Sequence, residues 1–272
     1  MSYALWLAGI SLVFVVLERV LPRYRSQRLL RRGILSDALY VVWNGHFLAV
    51  ALALLADPLA AHVDQWARGA LGVELHRDAA ASWPLWVQFL VGLLVMDFAQ
   101  WCIHNLLHRV PFLWTFHKVH HSIVELDWLG SLRFHWLEIV VYRSLQYLPL
   151  AFFGFAGEAL FALAVFNTVI GHFNHANLRL PIGPLGYVLN NPAMHAWHHV
   201  HPSAGPVNKN FGITLSLWDW LFGTAYVPAE PPARLGFEGI ETFPETFPGQ
   251  LLYPLPVEAK LRQLTERARS PQ

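Results

Sequence analysis

The apolar positions of this chain fall in blocks long enough to cross a bilayer, with charge held mostly between them. Tyr3 to Leu21 carries no charge before Glu18. A membrane helix needs about 20 mostly apolar residues, so this block predicts a first span. It lacks a basic leading region and a small-residue cleavage site, and so reads as a retained span and not a signal peptide. Arg19, Arg23, Arg25, Arg28, Arg31 and Arg32 follow, the mark of a cytoplasmic loop, with contact to anionic lipid as a secondary effect. A second span runs from about Ala38 to Leu55 and ends at Asp57-Pro58. The loop to about Ser82 holds Asp57, Asp64, Glu74 and Asp78 against only Arg68 and Arg77, as the far side requires. Pro84 opens a third span, Leu85 to Ile103, which returns to the side of Arg109 and Lys118. This pattern sets the N-terminus outside and His104 onward inside.

The next apolar stretch, Trp136 to Phe153, holds Glu138 and Arg143, then turns at Gly154-Phe155-Ala156-Gly157. Glu158 to Gly171 is a short apolar return, so the pair predicts a helical hairpin. No Lys or Arg lies between Arg143 and Arg179, and charge alone leaves open whether the hairpin crosses. Pro181, Gly183, Pro184 and Gly186 mark an irregular stretch, Pro228 to Pro256 a Pro-rich extended one, and Val257 to Arg269 a short amphipathic helix. The expected fold is all-α: a polytopic membrane protein of about four to five transmembrane or hairpin helices, with a cytoplasmic histidine-rich cap. It is expected to be one domain over 1–272, with its histidine core at about 97–226 and a cytoplasmic tail at about 227–272.

Composition narrows the function. Of 272 residues 55% are hydrophobic and 14% charged, against about 25% charged in soluble domains. A net charge of +1 gives no electrostatic case for nucleic acid. The lone Cys102 excludes a disulfide framework and a zinc-thiolate cluster. The excess is in histidine: fifteen, twelve of them between His104 and His201.

These histidines are grouped. His104-x-x-x-His108 ends the third span, and His117-x-x-His120-His121 follows Pro111. His172-x-x-His175 closes the hairpin, and His195-x-x-His198-His199 follows the irregular stretch. Residues three and four apart share a helix face, and every group sits at the same expected membrane boundary. Neutral imidazole binds iron, zinc and copper. Ten such ligands exceed the four of a single zinc and suit two metals with five nitrogens each, leaving a position for oxygen. No motif contains an internal Glu, which separates the pattern from the Glu-x-x-His sites of soluble di-iron bundles and from His-Glu-x-x-His proteases.

The set resembles the fatty acid hydroxylase/sterol desaturase superfamily. The matching stretches are Asp97 through His104-Asn-Leu-Leu-His108, Phe116-His117-Lys-Val-His120-His121-Ser122 and His195-Ala-Trp-His198-His199, with Asn210-Phe211-Gly212 and Leu217-Trp-Asp219-Trp-Leu-Phe-Gly223-Thr224 downstream. The resemblance implies a mostly helical fold, two iron ions, O2 and electrons as co-substrates, and hydroxylation or desaturation of an unactivated C–H bond. Two features depart from it. Arg133-Phe-His135-Trp136-Leu-Glu138 has Trp where the family commonly has Pro, and His175 fits the variable third motif better than His172 does.

Outside the ligands, His135, Glu138, Asn210 and Asp219 are candidate supporting residues. For Asp97 two roles stay open: holding a ligand histidine through its second nitrogen, or a buried ion pair with Arg133 or Arg143. His46, His62 and His76 carry no expected role. The expected substrate is a lipid: sterol, fatty acyl, sphingoid or a related chain. No Gly-x-Gly-x-x-Gly strand turn, Cys cluster or haem motif is present, so electrons are expected from a separate ferredoxin-like or cytochrome-like partner on the cytoplasmic side. Two alternatives remain. One is a membrane zinc hydrolase using Glu125 or Asp127 as base, zinc then being the metal as purified. The other is a metal transporter, which would need histidines along a path through the spans.

Overall fold

A computed structural model describes residues 3–72 and 78–255. The expected amphipathic helix at Val257–Arg269 lies outside these residues, as do His76, Glu74 and Arg77. Among the described residues every regular element is helical, and backbone pairing outside helices is limited to isolated bridges.

Helix α1 spans Tyr3–Val20. Helix α2, Ile34–Val42, passes through a π-helical segment, Trp43–Leu48, straight into α3, Ala49–Leu71. The apolar span ends at Leu55, where the sequence places it, yet the helix itself continues through Pro58 for more than three turns into the stretch read as a loop. A proline removes one backbone hydrogen bond and fixes φ at a value a helix already uses. The stop comes at Gly72, whose φ of 63° closes the helix in the left-handed conformation that glycine tolerates. The segment before it is therefore helix and not loop, with Arg68 bonded to Asp64 one turn away at 3.2 Å. Helix α4 starts after Pro84 and covers Leu85–Arg109, six residues beyond the expected end of its span.

Among the described residues three helical stretches are long and apolar enough to cross a membrane: Tyr3–Val20, Ile34–Leu55 and Leu85–Arg109. Their outer faces expose Leu5, Leu12, Val16, Leu54, Leu90 and Leu94, as lipid contact requires. The hairpin forms as α6, Trp136–Phe152, and α7, Gly157–His175. Helix α7 packs against both α1 and α4. At Gly92 of α4 an added Cβ would stand 2.7 Å from Leu163 of α7, so the absent side chain sets how closely the two helices approach.

The cap is built from α5 (Pro111–His121), a 3-10 turn at Trp128–Leu132, α8 (Pro192–His198) and α9 (Leu217–Leu221). Its interior is polar. Arg31, counted in sequence as part of an exposed basic loop, is buried and bridges Asp37 at 2.6 Å and Asp127 at 2.5 Å. Arg133 pairs with the other oxygen of Asp37. This four-residue network ties α2 to the 3-10 turn and fixes the chain that enters α6.

Candidate metal centre

Nine histidines converge at the junction of α4, α5, α7 and α8, in two adjoining groups. The first is His104, His108, His117, His121 and His198; the second is His120, His175, His195 and His199. Within each group the ligand nitrogens all lie within 4.8 Å of one another. The division cuts across the sequence motifs. From α5, His117 and His121 face the first group while His120 faces the second. From α8 the pattern reverses: His195 and His199 face the second and His198 the first. Positions i and i+4 differ by about 40° around a helix, whereas i+3 lies about 100° from i+4, so each triplet spans both groups.

The outward ring nitrogens fix how the rings are protonated. The Nδ1–H of His104 donates to the Phe211 carbonyl at 2.8 Å and that of His198 to Lys209 at 2.9 Å. His120 donates to the carbonyl of Arg133 at 3.2 Å and His175 to that of Gly171 at 2.9 Å. His117 donates to Glu138 Oε1 at 2.8 Å. A neutral imidazole carries one N–H, so the Nε2 of each of these rings is a bare lone pair aimed inward. The Nε2 atoms of His104 and His117 stand 3.2 Å apart, and those of His120 and His175 3.3 Å apart. Bare lone pairs at that separation repel, and a cation between them turns the repulsion into coordination.

Burial pushes His117, His120, His121, His195, His198 and His199 well below the ordinary histidine pKa, with neighbouring imidazoles adding to the effect. The rings are therefore neutral at pH 7, the form that ligates metal. The donor set fits two soft-to-borderline transition ions and offers no oxygen-rich site for calcium or magnesium.

Carboxylates support the site from behind. Asp219 accepts from the Phe211 and Gly212 amides at 2.9 and 2.7 Å and from Trp101 Nε1 at 3.1 Å, which holds the carbonyl that orients His104. Asp97 accepts from the Thr214 and Leu215 amides and from Trp218 Nε1. It thus grips the same loop and meets neither a ligand histidine nor an arginine, unlike both roles left open by the sequence. Asn210 has φ of 55° and bonds the carbonyls of Met194 and Tyr226, tying α8 to the chain after α9.

Not every expected residue joins the cluster. His172 stands outside both groups, with one ring nitrogen 3.2 Å from Ser11 Oγ and the other 2.9 Å from Ser131 Oγ. The expected five-and-five arrangement is five-and-four. His135 caps α6, its Nδ1 accepting from the Leu137 amide. Asp127 is committed to Arg31, so it is not a free base, and Glu125 lines a separate groove with Arg23 and Arg234. Two kinds of supporting group were not foreseen from sequence: Phe134, stacked on His120 with centroids 4.1 Å apart, and the four backbone carbonyls that orient histidine rings. A carbonyl leaves no mark in sequence.

A cavity of about 60 Å³ opens against His104, His117, His120 and His175, between α4, α6 and α7.

Comparison with known proteins agrees with this site. The family model described as fatty acid hydroxylase matches residues 89–224. The chain is 31% identical over 159 residues to ornithine lipid hydroxylase OlsE of Rhizobium tropici, covering 58% of this chain and 48% of that protein. It is 31% identical over 141 residues to human alkylglycerol monooxygenase, covering 51% and 30% of the two chains. With sphinganine C4-monooxygenase 2 of Arabidopsis thaliana the identity is 30% over 156 residues, covering 56% and 59%. The chain thus matches about half or less of the length of the first two relatives. No solved structure matches it. The matched segment runs from within α4 to just beyond α9 and contains all nine converging histidines, and on that ground the chain belongs to the fatty acid hydroxylase family.

Proposed function

We propose that this chain is a membrane-bound di-iron oxygenase that uses O2 and external electrons to hydroxylate a C–H bond of a lipid. The observation that carries the reading is the inward convergence of nine neutral imidazoles, five of them with the other nitrogen committed to an acceptor, which makes a nitrogen-rich binding site for two metals. His104, His108, His117, His121 and His198 would hold one ion and His120, His175, His195 and His199 the other. Bound iron supplies the activation of O2 that attack on an unactivated C–H bond requires.

The protein's own part is positioning and exclusion of water. Glu138 and the four carbonyls hold the rings in one tautomer and one orientation. The apolar spans offer lateral entry to a lipid, and burial of the cluster keeps water from the reacting carbon. Hydroxylation is favoured over desaturation by the three relatives described above, whose names are those of a hydroxylase and two monooxygenases. Electrons come from a separate ferredoxin-like or cytochrome-like donor docking on the cytoplasmic side, where the histidine cap and the C-terminal tail lie. The chain works as a single domain with its histidine core at 97–226.

Metal analysis of the purified protein together with lipid mass spectrometry tests this. About two irons per chain and a lipid gaining 16 mass units are expected; in His120→Ala and His198→Ala the oxidised lipid is lost and iron falls by about one ion per chain. Zinc in place of iron, with hydrolysed and not oxygenated lipid, would overturn the reading.

A further inference from the structure

The cavity beside the histidines carries polar and charged side chains among its apolar ones. Gln100, Glu138, Tyr142, Arg143, Asn167 and Thr168 form much of its wall. Arg143 is half-buried in an otherwise apolar stretch of α6. Among the described residues it forms no salt bridge; its guanidinium lies over the Tyr147 ring, 5.9 Å from the centroid. An arginine held among apolar helices without a counter-ion points to a functional role. On the same cavity wall Glu138 Oε2 is buried and without a partner, while its Oε1 orients His117. The cavity wall thus carries both a carboxyl group that supports the histidine cluster and a cation. Arg143 lies five residues beyond Glu138, about 7.5 Å of helix rise.

We propose that Arg143 binds an anionic oxygen group of the lipid substrate, a carboxylate or a phosphate, and thereby delivers a carbon near that polar group to the histidine centre. The inference rests on the oxygenase reading above and narrows it to lipids oxidised near the headgroup and not far along an acyl chain. The room available, about 60 Å³, holds several water-sized groups, enough for an oxyanion and the carbon next to it. Gln100 and Asn167 supply neutral amides beside it. In the reaction the substrate C–H becomes C–OH. One oxygen of O2 enters the product and the other leaves as water, with two electrons from the separate donor protein and two protons.

The test uses the full chain expressed in membranes, with iron content, product and product position all measured. Tandem mass spectrometry of the wild-type product is expected to find the added oxygen in the fragment that retains the headgroup. A hydrogen bond to a charged group contributes about 1.5–3 kcal/mol. Arg143→Gln is therefore expected to raise KM about tenfold or more, with kcat and iron content retained, and Arg143→Lys to recover part of the loss. Dodecyl phosphate is expected to inhibit the wild type where dodecanol at the same concentration does not. Oxygen found on a distal acyl carbon, or an unchanged KM in Arg143→Gln, overturns the proposal while leaving the oxygenase reading intact. A wild-type protein with neither iron nor oxidised lipid overturns both.

Discussion

The Nε2 atoms of His104 and His117 face each other at 3.2 Å, each on a ring whose Nδ1 is already bonded to an acceptor, Phe211 O and Glu138 Oε1 respectively. Neither ring has a proton to place between them, so the pair is complete only with a cation. The partition of the cluster makes this testable. His198→Ala removes a nitrogen from the first group and His120→Ala one from the second. Each is expected to lower bound metal by about one ion per chain, measured by mass spectrometry of the purified protein. His172→Asn is expected to leave metal content unchanged, because both of its nitrogens are bonded to serines away from the two groups.

Glu138 touches the first group only through His117. Burial pushes the Glu138 carboxyl well above its ordinary pKa, so its charge depends on the His117 N–H and on a bound cation; Glu138→Gln keeps an acceptor for Nδ1–H but removes the charge that would make the imidazole a stronger donor to metal. Loss of such a supporting partner costs about 10–100-fold in metal affinity or activity. The expected outcome is metal binding weakened within that range in Glu138→Gln and more in Glu138→Ala, read by competition with a chelator, with the helical circular dichroism retained.

Sequence spacing made the histidine motifs legible because helical geometry acts over three and four residues. His104, His108 and the two triplets all reach the site for that reason. The same spacing pairs His172 with His175, yet only His175 joins the cluster: an i, i+3 pair shares a face only loosely, and Ser11 and Ser131 come from distant elements that spacing does not register. Pro58 was misleading for a related reason, since a proline ends a helix only where the residues after it cannot continue one, and here the stop comes at Gly72. Arg31 looked like one of six equivalent loop charges. Its burial depends on Asp37 and Asp127, the latter 96 residues away.

That buried network sets a stability prediction. Asp37 holds both Arg31 and Arg133, and the Arg133 carbonyl accepts from His120. Asp37→Asn leaves two buried guanidinium groups short of charge, and breaking a buried pair costs about 3–5 kcal/mol. A clear drop in thermal unfolding temperature in detergent is expected. The accompanying loss of metal should fall on the second group, because the 3-10 turn and Arg133 position His120 and not the rings of the first group. Equal loss from both groups would show that the network acts on the cap as a whole.

The first group can be disrupted sterically at Gly212. An added Cβ there would stand 2.9 Å from Asp219 Oδ2 and closer still to the Leu215 carbonyl. Backbone atoms on one side and an engaged carboxylate on the other leave little room to yield. Overpacking of this kind costs about 1–3 kcal/mol. Gly212→Ala is expected to destabilise by that amount in chemical unfolding, and to weaken metal binding through the displaced Phe211 carbonyl.

The acid response comes from the depressed histidines. In the unfolded chain each has its ordinary pKa of about 6.5. In the folded, metal-free chain burial and neighbouring imidazoles hold His117, His120, His121, His195, His198 and His199 well below that value. As pH falls through 6.5 the unfolded state takes up protons that the folded state refuses, so stability falls with pH in that window and is flat above it. Each histidine contributes up to about 1.4 kcal/mol per pH unit there. Bound metal competes with the same protons and stabilises the folded state. Unfolding temperatures recorded from pH 8 to pH 5 should therefore fall steeply below about 6.5 in metal-free protein. The loaded protein should hold until a lower pH and then drop together with release of its metal. A metal-free protein whose stability is unchanged down to pH 5 would contradict neutral, buried imidazoles at the centre.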